Sequence, residues 1–168
     1  MLKKTYLVSA CLMGLPTRYD GRHNCNAALQ SLCHRCRVIP ICPEQLGGLP
    51  TPRLPSEICG GDGSAVLQGK ARVIDKAGKD VTSQFLRGAY AALRLAQLLG
   101  VDGAILKSGS PSCGAGRIHN GSFSGRYRAG DGITAALLKG QGIPVYNEKI
   151  LFPKKNLIRR RFSLKKRQ

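Results

Sequence analysis

Short apolar runs, each cut off by glycine or proline, recur along this chain of 168 residues. Tyr6-Leu7-Val8-Ser9-Ala10 comes first and stops at Cys11, before Met13-Gly14-Leu15-Pro16. Arg37-Val38-Ile39-Pro40-Ile41 comes second and ends at Cys42-Pro43. Gly103-Ala104-Ile105-Leu106-Lys107 runs into Ser108-Gly109-Ser110-Pro111-Ser112-Cys113-Gly114, and Ile143-Pro144-Val145-Tyr146 is a short fourth. Brief runs without alternation predict strands buried on both faces of a parallel sheet. Pro40 and Pro144 count against two of them, because a strand proline loses a ladder donor.

Between these runs the apolar period is helical. Ser83 to Leu99 carries Phe85, Leu86, Tyr90, Leu93, Leu95, Leu98 and Leu99, with Gly100 placed as a C-cap. Asp131 reads as the N-cap of a helix from Gly132 to Lys139, with Ile133, Ala136 and Leu137 on one face. Asn26 to Cys36 predicts a third, shorter helix, and Val66 to Val81 a small hairpin turning at Ala77-Gly78-Lys79-Asp80. No internal repeat and no linker divides the chain before residue 149. Alternating short strands and helices predict one α/β domain over residues 1–148, three-layered and Rossmann-like, with a mostly parallel sheet. Residues 149–168 follow as a basic tail.

Composition narrows the class. At 42% hydrophobic the chain is built to fold, and it lacks the apolar run of about 18 residues that a membrane span needs. The stretch from Tyr6 to Leu12 is interrupted by Ser9 and stopped by Gly14, too short for a secretory signal. The expected location is cytoplasmic. Lys and Arg number 27 against 9 acids, a formal charge of +18. Nine of those cations follow Glu148, where no acid remains. A basic chain end of this kind is a solvated interaction tail, and nucleic acid is its natural partner through counterion release. The plain alternative is a tail that only aids solubility.

Seven cysteines is an odd count, in a chain without the small scaffold or secretory address of a disulfide framework. Cys11, Cys42 and Cys113 each follow a predicted strand directly or within a short glycine-rich loop. In an open α/β sheet the carboxyl ends of parallel strands share one edge, and ligands bind in the crevice there. Three convergent thiolates with no forced fourth partner suit a metal centre that keeps one position open, and soft thiolates select zinc or an iron–sulfur cluster. The competing reading is three small buried cysteines packed as hydrophobes.

These blocks also carry a family resemblance. Cys11-Leu12-Met13-Gly14 with Arg18-Tyr19-Asp20-Gly21, then Ile41-Cys42-Pro43-Glu44-Gln45-Leu46-Gly47-Gly48-Leu49-Pro50-Thr51-Pro52-Arg53, resemble the opening of the thiouracil desulfurase family. Lys107-Ser108-Gly109-Ser110-Pro111-Ser112-Cys113-Gly114 and Gly130-Asp131-Gly132-Ile133-Thr134-Ala135-Ala136-Leu137-Leu138 continue it, so that it spans about residues 5–147. The resemblance implies a 4Fe–4S cluster held by Cys11, Cys42 and Cys113, with one iron left for the sulfur of a thiolated uracil. It further implies non-redox removal of that sulfur to leave uracil, with Glu44 as acid–base carboxylate and Ser110 orienting substrate or water. The substrate, 2-thio or 4-thio, is open between free base, nucleoside or nucleotide, and tRNA. For Glu44 the competing role is an ordinary surface carboxylate, for Ser110 a turn residue serving its own loop. Asp131 is read first as a helix cap.

Cys25, Cys33, Cys36 and Cys59 lie outside that pattern. Cys33-His34-Arg35-Cys36 is a CxxC unit and, with Cys25, offers a second reading: a zinc-stabilised basic RNA-binding module without catalysis. The spacings from Cys25 to Cys33 and from Cys36 to Cys42 are not those of a paired zinc ribbon. A dithiol redox pair is a third reading. The glycines of Cys113–Gly116 and Gly60–Gly63 match neither a dinucleotide loop nor a Walker lysine, and are read as tight turns that let backbone approach the site.

Overall fold

The computed structural model describes residues 3–149. The expected anchoring of the tail through Leu151, Phe152, Leu157, Ile158, Phe162 and Leu164 lies outside the described residues, and so does nearly all of the tail's charge. The first apolar run forms β1 (Thr5–Ser9), followed by a 3-10 turn over Ala10–Met13. Then come α1 (Ala27–Leu32), β2 (Arg37–Ile41), the single turn α2 (Pro43–Leu46), β3 (Ser56–Cys59) and α3 (Gly63–Leu67). After β4 (Arg72–Asp75) and the long α4 (Thr82–Leu98) follow β5 (Gly103–Leu106), β6 (Arg117–His119), β7 (Tyr127–Ala129), α5 (Ile133–Gly140) and β8 (Val145–Asn147).

The expected α/β architecture is present. Four parallel strands pair in the order β2-β1-β5-β8. Pro40 is tolerated because β2 is an edge strand, and Pro144 falls just before β8 on the opposite edge. Side-chain alternation sends Val8 and Ile105 to one face, where they meet Leu12 and Leu29 of α1. Leu7, Ala104 and Leu106 point the other way, into the larger core under α4 and α5. Helices therefore cover both faces, and the middle strands are buried throughout.

Three expectations change. The face α4 buries is built from Phe85, Gly88, Ala89, Ala92, Leu93 and Ala96, while Tyr90, Leu98 and Leu99 are exposed. Small residues win because neighbouring backbone comes close. A Cβ on Gly88 would lie 1.8 Å from the Pro43 carbonyl oxygen, and one on Gly47 would lie 1.9 Å from that of Gln84. Gly88→Ala should therefore lower stability by about 1–3 kcal/mol, the usual cost of overpacking, measurable by denaturant unfolding.

The hairpin expected within Val66 to Val81 is replaced by a longer-range pairing. Val66 and Leu67 enter α3, because the Asp62 carboxylate caps that helix by accepting from the Ala65 N–H. β4 then pairs antiparallel with β3, and the turn survives around Asp75 and Gly78, with one bridge between Ile74 and Asp80. Asp131 is not the cap of α5: Gly132 holds that position. The Asp131 carboxylate instead accepts from the Gly116 N–H at 2.7 Å and from Lys139 Nζ at 2.8 Å. Gly132 is needed there, since a Cβ would lie 2.5 Å from the Ser112 carbonyl oxygen, in the loop that carries Cys113.

Candidate active site

The carboxyl ends of β1, β2 and β5, adjacent in the sheet, open onto one cavity of about 460 Å³. Cys11, Cys42 and Cys113 all line it. Cys11 sits in the 3-10 turn after β1, Cys42 directly follows β2, and Cys113 lies in the loop after β5. Among the described residues no three Cys, His, Asp or Glu side chains are close enough to chelate one metal ion. The thiols border a shared space instead of closing round a single atom.

Burial dominates their protonation. It pushes Cys11 up to about 11, against the opposing pull of the Lys107 ammonium, and raises Cys42 as well. Cys113, the most deeply buried, is raised further by desolvation, with Cys11 and Cys42 adding to the rise. Three neutral thiols facing one another suit a cationic group that displaces their protons on binding. Cys42 Sγ donates to the Thr17 carbonyl at 3.7 Å.

Glu44 shares the cavity with them. Pro43 starts α2 at the position where a missing N–H costs nothing, which puts Glu44 in the first helical turn beside Cys42. It is not a surface carboxylate. Arg53 Nε donates to Glu44 Oε2 at 2.7 Å, and both side chains are largely buried. The same guanidinium donates to the carbonyls of Thr17 and Pro50 and to Thr51 Oγ1. Arg53 therefore ties the loop after β1 to the carboxylate after β2, a role the sequence reading missed although Arg53 closes the block it quoted.

Glu44 Oε1 faces Ser110, whose hydroxyl donates to it at 3.4 Å. The same Ser110 oxygen accepts from the N–H groups of Ser112 and Cys113, each at 3.1 Å. Ser110 thus serves its own turn and also meets the carboxylate, so the two readings of this residue hold together. Lys107 was missed as well. Its backbone N–H donates to Ser9 Oγ, while its ammonium lies 3.6 Å from Glu148 Oε1 and on the cavity wall. Glu148 also takes the Ser108 N–H and hydroxyl, pinning the loop after β5 to the end of β8.

The zinc site read from Cys25, Cys33 and Cys36 is not formed among the described residues. Cys25 accepts from Gln30 Nε2 near Gly14, whereas Cys36 feels Lys4 and Asp102 near the start of β1. Cys59 donates to the Gly121 carbonyl. The glycines of Gly60–Gly63 pack against α3 and α5, away from the cavity, while Gly114 supports the Cys113 loop.

A solved structure, that of the 4Fe–4S-dependent thiouracil desulfidase TudS, superposes with a TM-score of 0.78 at 46% identity. The match covers 89% of this chain and 93% of that one. The uncharacterized protein YbbK of Bacillus subtilis (strain 168) is 45% identical over 142 residues, which is 84% of this chain and 94% of YbbK. Residues 6–149 match the sequence pattern of 2-thiouracil desulfurases, so that the whole α/β unit with its three-thiol cavity is included. The chain belongs to the 2-thiouracil desulfurase family.

Proposed function

We propose that this chain removes the sulfur of a thiolated uracil without net redox change, releasing uracil and sulfide, at a 4Fe–4S cluster held by Cys11, Cys42 and Cys113. The observation that carries it is the meeting of three thiols from three strand ends with a buried carboxylate on one cavity. Three soft donors fit a cluster ligated by cysteine. When bound, such a cluster supplies a Lewis-acidic iron with affinity for sulfur. Replacing C=S by C=O then consumes one water, and its protons need a carrier. Glu44 takes a proton from the attacking water and returns it to the departing side of the ring. Arg53 fixes one carboxylate oxygen, leaving Oε1 turned toward Ser110. The Ser110 hydroxyl orients the water or the substrate oxygen, and Lys107 adds positive charge where sulfide is released.

Anaerobically purified protein tests this reading. It should be brown, carry about four irons with matching acid-labile sulfide, and convert 2-thiouracil to uracil and sulfide. Colourless protein with one zinc and no turnover would overturn it.

The substrate is further proposed to include phosphate-bearing thiolated uridines, RNA among them. The support is the charge distribution: nine cations follow the last acid, and a neutral free base gains nothing from them. Truncation after Glu148 should leave turnover of free 2-thiouracil near the parent value and weaken binding of thiolated RNA at low salt. The difference should shrink as salt rises. Equal RNA binding by the truncated protein at low salt would make the tail a solubility device.

A further inference from the structure

Across the cavity from the thiols stands a second ionisable pair that the reaction above does not use. His119, on β6, and Glu57, on β3, both line the cavity. Glu57 is buried, and its Oε2 accepts from the backbone N–H groups of Gly121 at 2.8 Å and Phe123 at 3.1 Å. Phe123 is the one non-glycine residue among those described with positive φ, at 53°, so the loop is bent into a rarely populated conformation where its N–H meets that oxygen. The other oxygen, Oε1, faces His119 Nδ1 at 3.8 Å.

His119 Nδ1 is buried and has no hydrogen-bond partner, whereas about a third of the side chain is exposed. Of the two ring nitrogens, only Nε2 is left to serve the cavity. The imidazole stacks on Tyr127, ring centres 4.3 Å apart, and Arg117 lies 3.6 Å from the centre of the same Tyr127 ring. Tyr127 in turn lies against Gly109, one residue before Ser110. A buried carboxylate beside Nδ1 favours the tautomer protonated there, which leaves a lone pair on Nε2.

We infer that His119 is a specificity-determining residue: with Nδ1 turned to Glu57, its Nε2 accepts a hydrogen bond from a ring N–H of the pyrimidine. This rests on the desulfuration reading for the identity of the ring. Pyrimidines of the uracil type present such donors beside their carbonyl or thiocarbonyl, and the flat face of Tyr127 borders the same space. Glu57 acts through His119 and is a positioning residue.

Calorimetric titration of the cluster-loaded protein with uracil and with 1,3-dimethyluracil, which has no ring N–H, tests this. The parent should prefer uracil by about tenfold, the worth of one well-placed buried hydrogen bond. His119→Phe keeps a flat ring on Tyr127 and should reduce that preference to near unity. His119→Gln, which offers a carbonyl near the Nε2 position, should restore part of it. A parent that binds both ligands equally, or a His119→Phe protein with an unchanged preference, overturns the inference. Turnover of 2-thiouracil is scored separately: its absence in the parent counts against desulfuration, while the contrast between the two ligands still reports on His119.

Discussion

Replacing Cys11, Cys42 or Cys113 singly by alanine should abolish cluster binding and reduce turnover to background. The same change at Cys25, Cys33, Cys36 or Cys59 should leave both intact. The reasoning is geometric. The first three thiols line one cavity from three adjacent strand ends, so no neighbouring side chain replaces a lost donor. The other four are scattered, with Cys25 bonded to Gln30 and Cys59 to Gly121. Iron content, acid-labile sulfide and the visible absorbance of anaerobic protein decide it. A brown, iron-loaded Cys42→Ala protein would show that the donor set is wrongly drawn.

Glu44→Gln should retain the cluster yet lose about 10²–10⁴-fold in turnover, the usual contribution of a general acid–base group. The amide preserves shape but carries no exchangeable carboxyl proton. Arg53 would then keep its bonds to the carbonyls of Thr17 and Pro50, so the local fold should hold. Ser110→Ala should cost less, about 1–3 kcal/mol in the activation barrier, because the carboxylate keeps its stronger partner. Steady-state rates on 2-thiouracil at matched iron content make the comparison. A Glu44→Gln enzyme within threefold of the parent would remove Glu44 from proton transfer.

What the sequence revealed follows from which contacts are local. β1, β2, β5 and β8 were readable because a strand buried on both faces needs an apolar run, and glycine or proline marks its end. Their common polarity in a parallel sheet then brought Cys11, Cys42 and Cys113 to one edge without any knowledge of the loops. The two antiparallel ribbons, β3 with β4 and β6 with β7, were not readable. They are three or four residues long and rich in polar side chains such as Glu57, Arg72, Arg117 and Arg128. The β3–β4 pairing also spans α3, so hairpin spacing does not reveal it. With those ribbons went His119, Glu57 and Tyr127. Arg53 escaped for another reason: its importance depends on reaching across to Glu44 and the Thr17 carbonyl, which its neighbours in sequence do not announce. In α4 the periodicity marked the right helix, but close approach of α2 favoured glycine and alanine over the large residues Tyr90 and Leu98.

The ribbon β6–β7 leaves and rejoins the chain within a short distance, since the Gly130 N–H donates to the Gly116 carbonyl at 3.4 Å. Everything between those glycines is an excursion from a frame that already holds all three thiols, Glu44 and Ser110. Chemistry and recognition are therefore carried by separable stretches of backbone. Descendants of such a chain can rewrite residues 117–129 and acquire a taste for a different heterocycle without disturbing the sulfur-handling edge of the sheet.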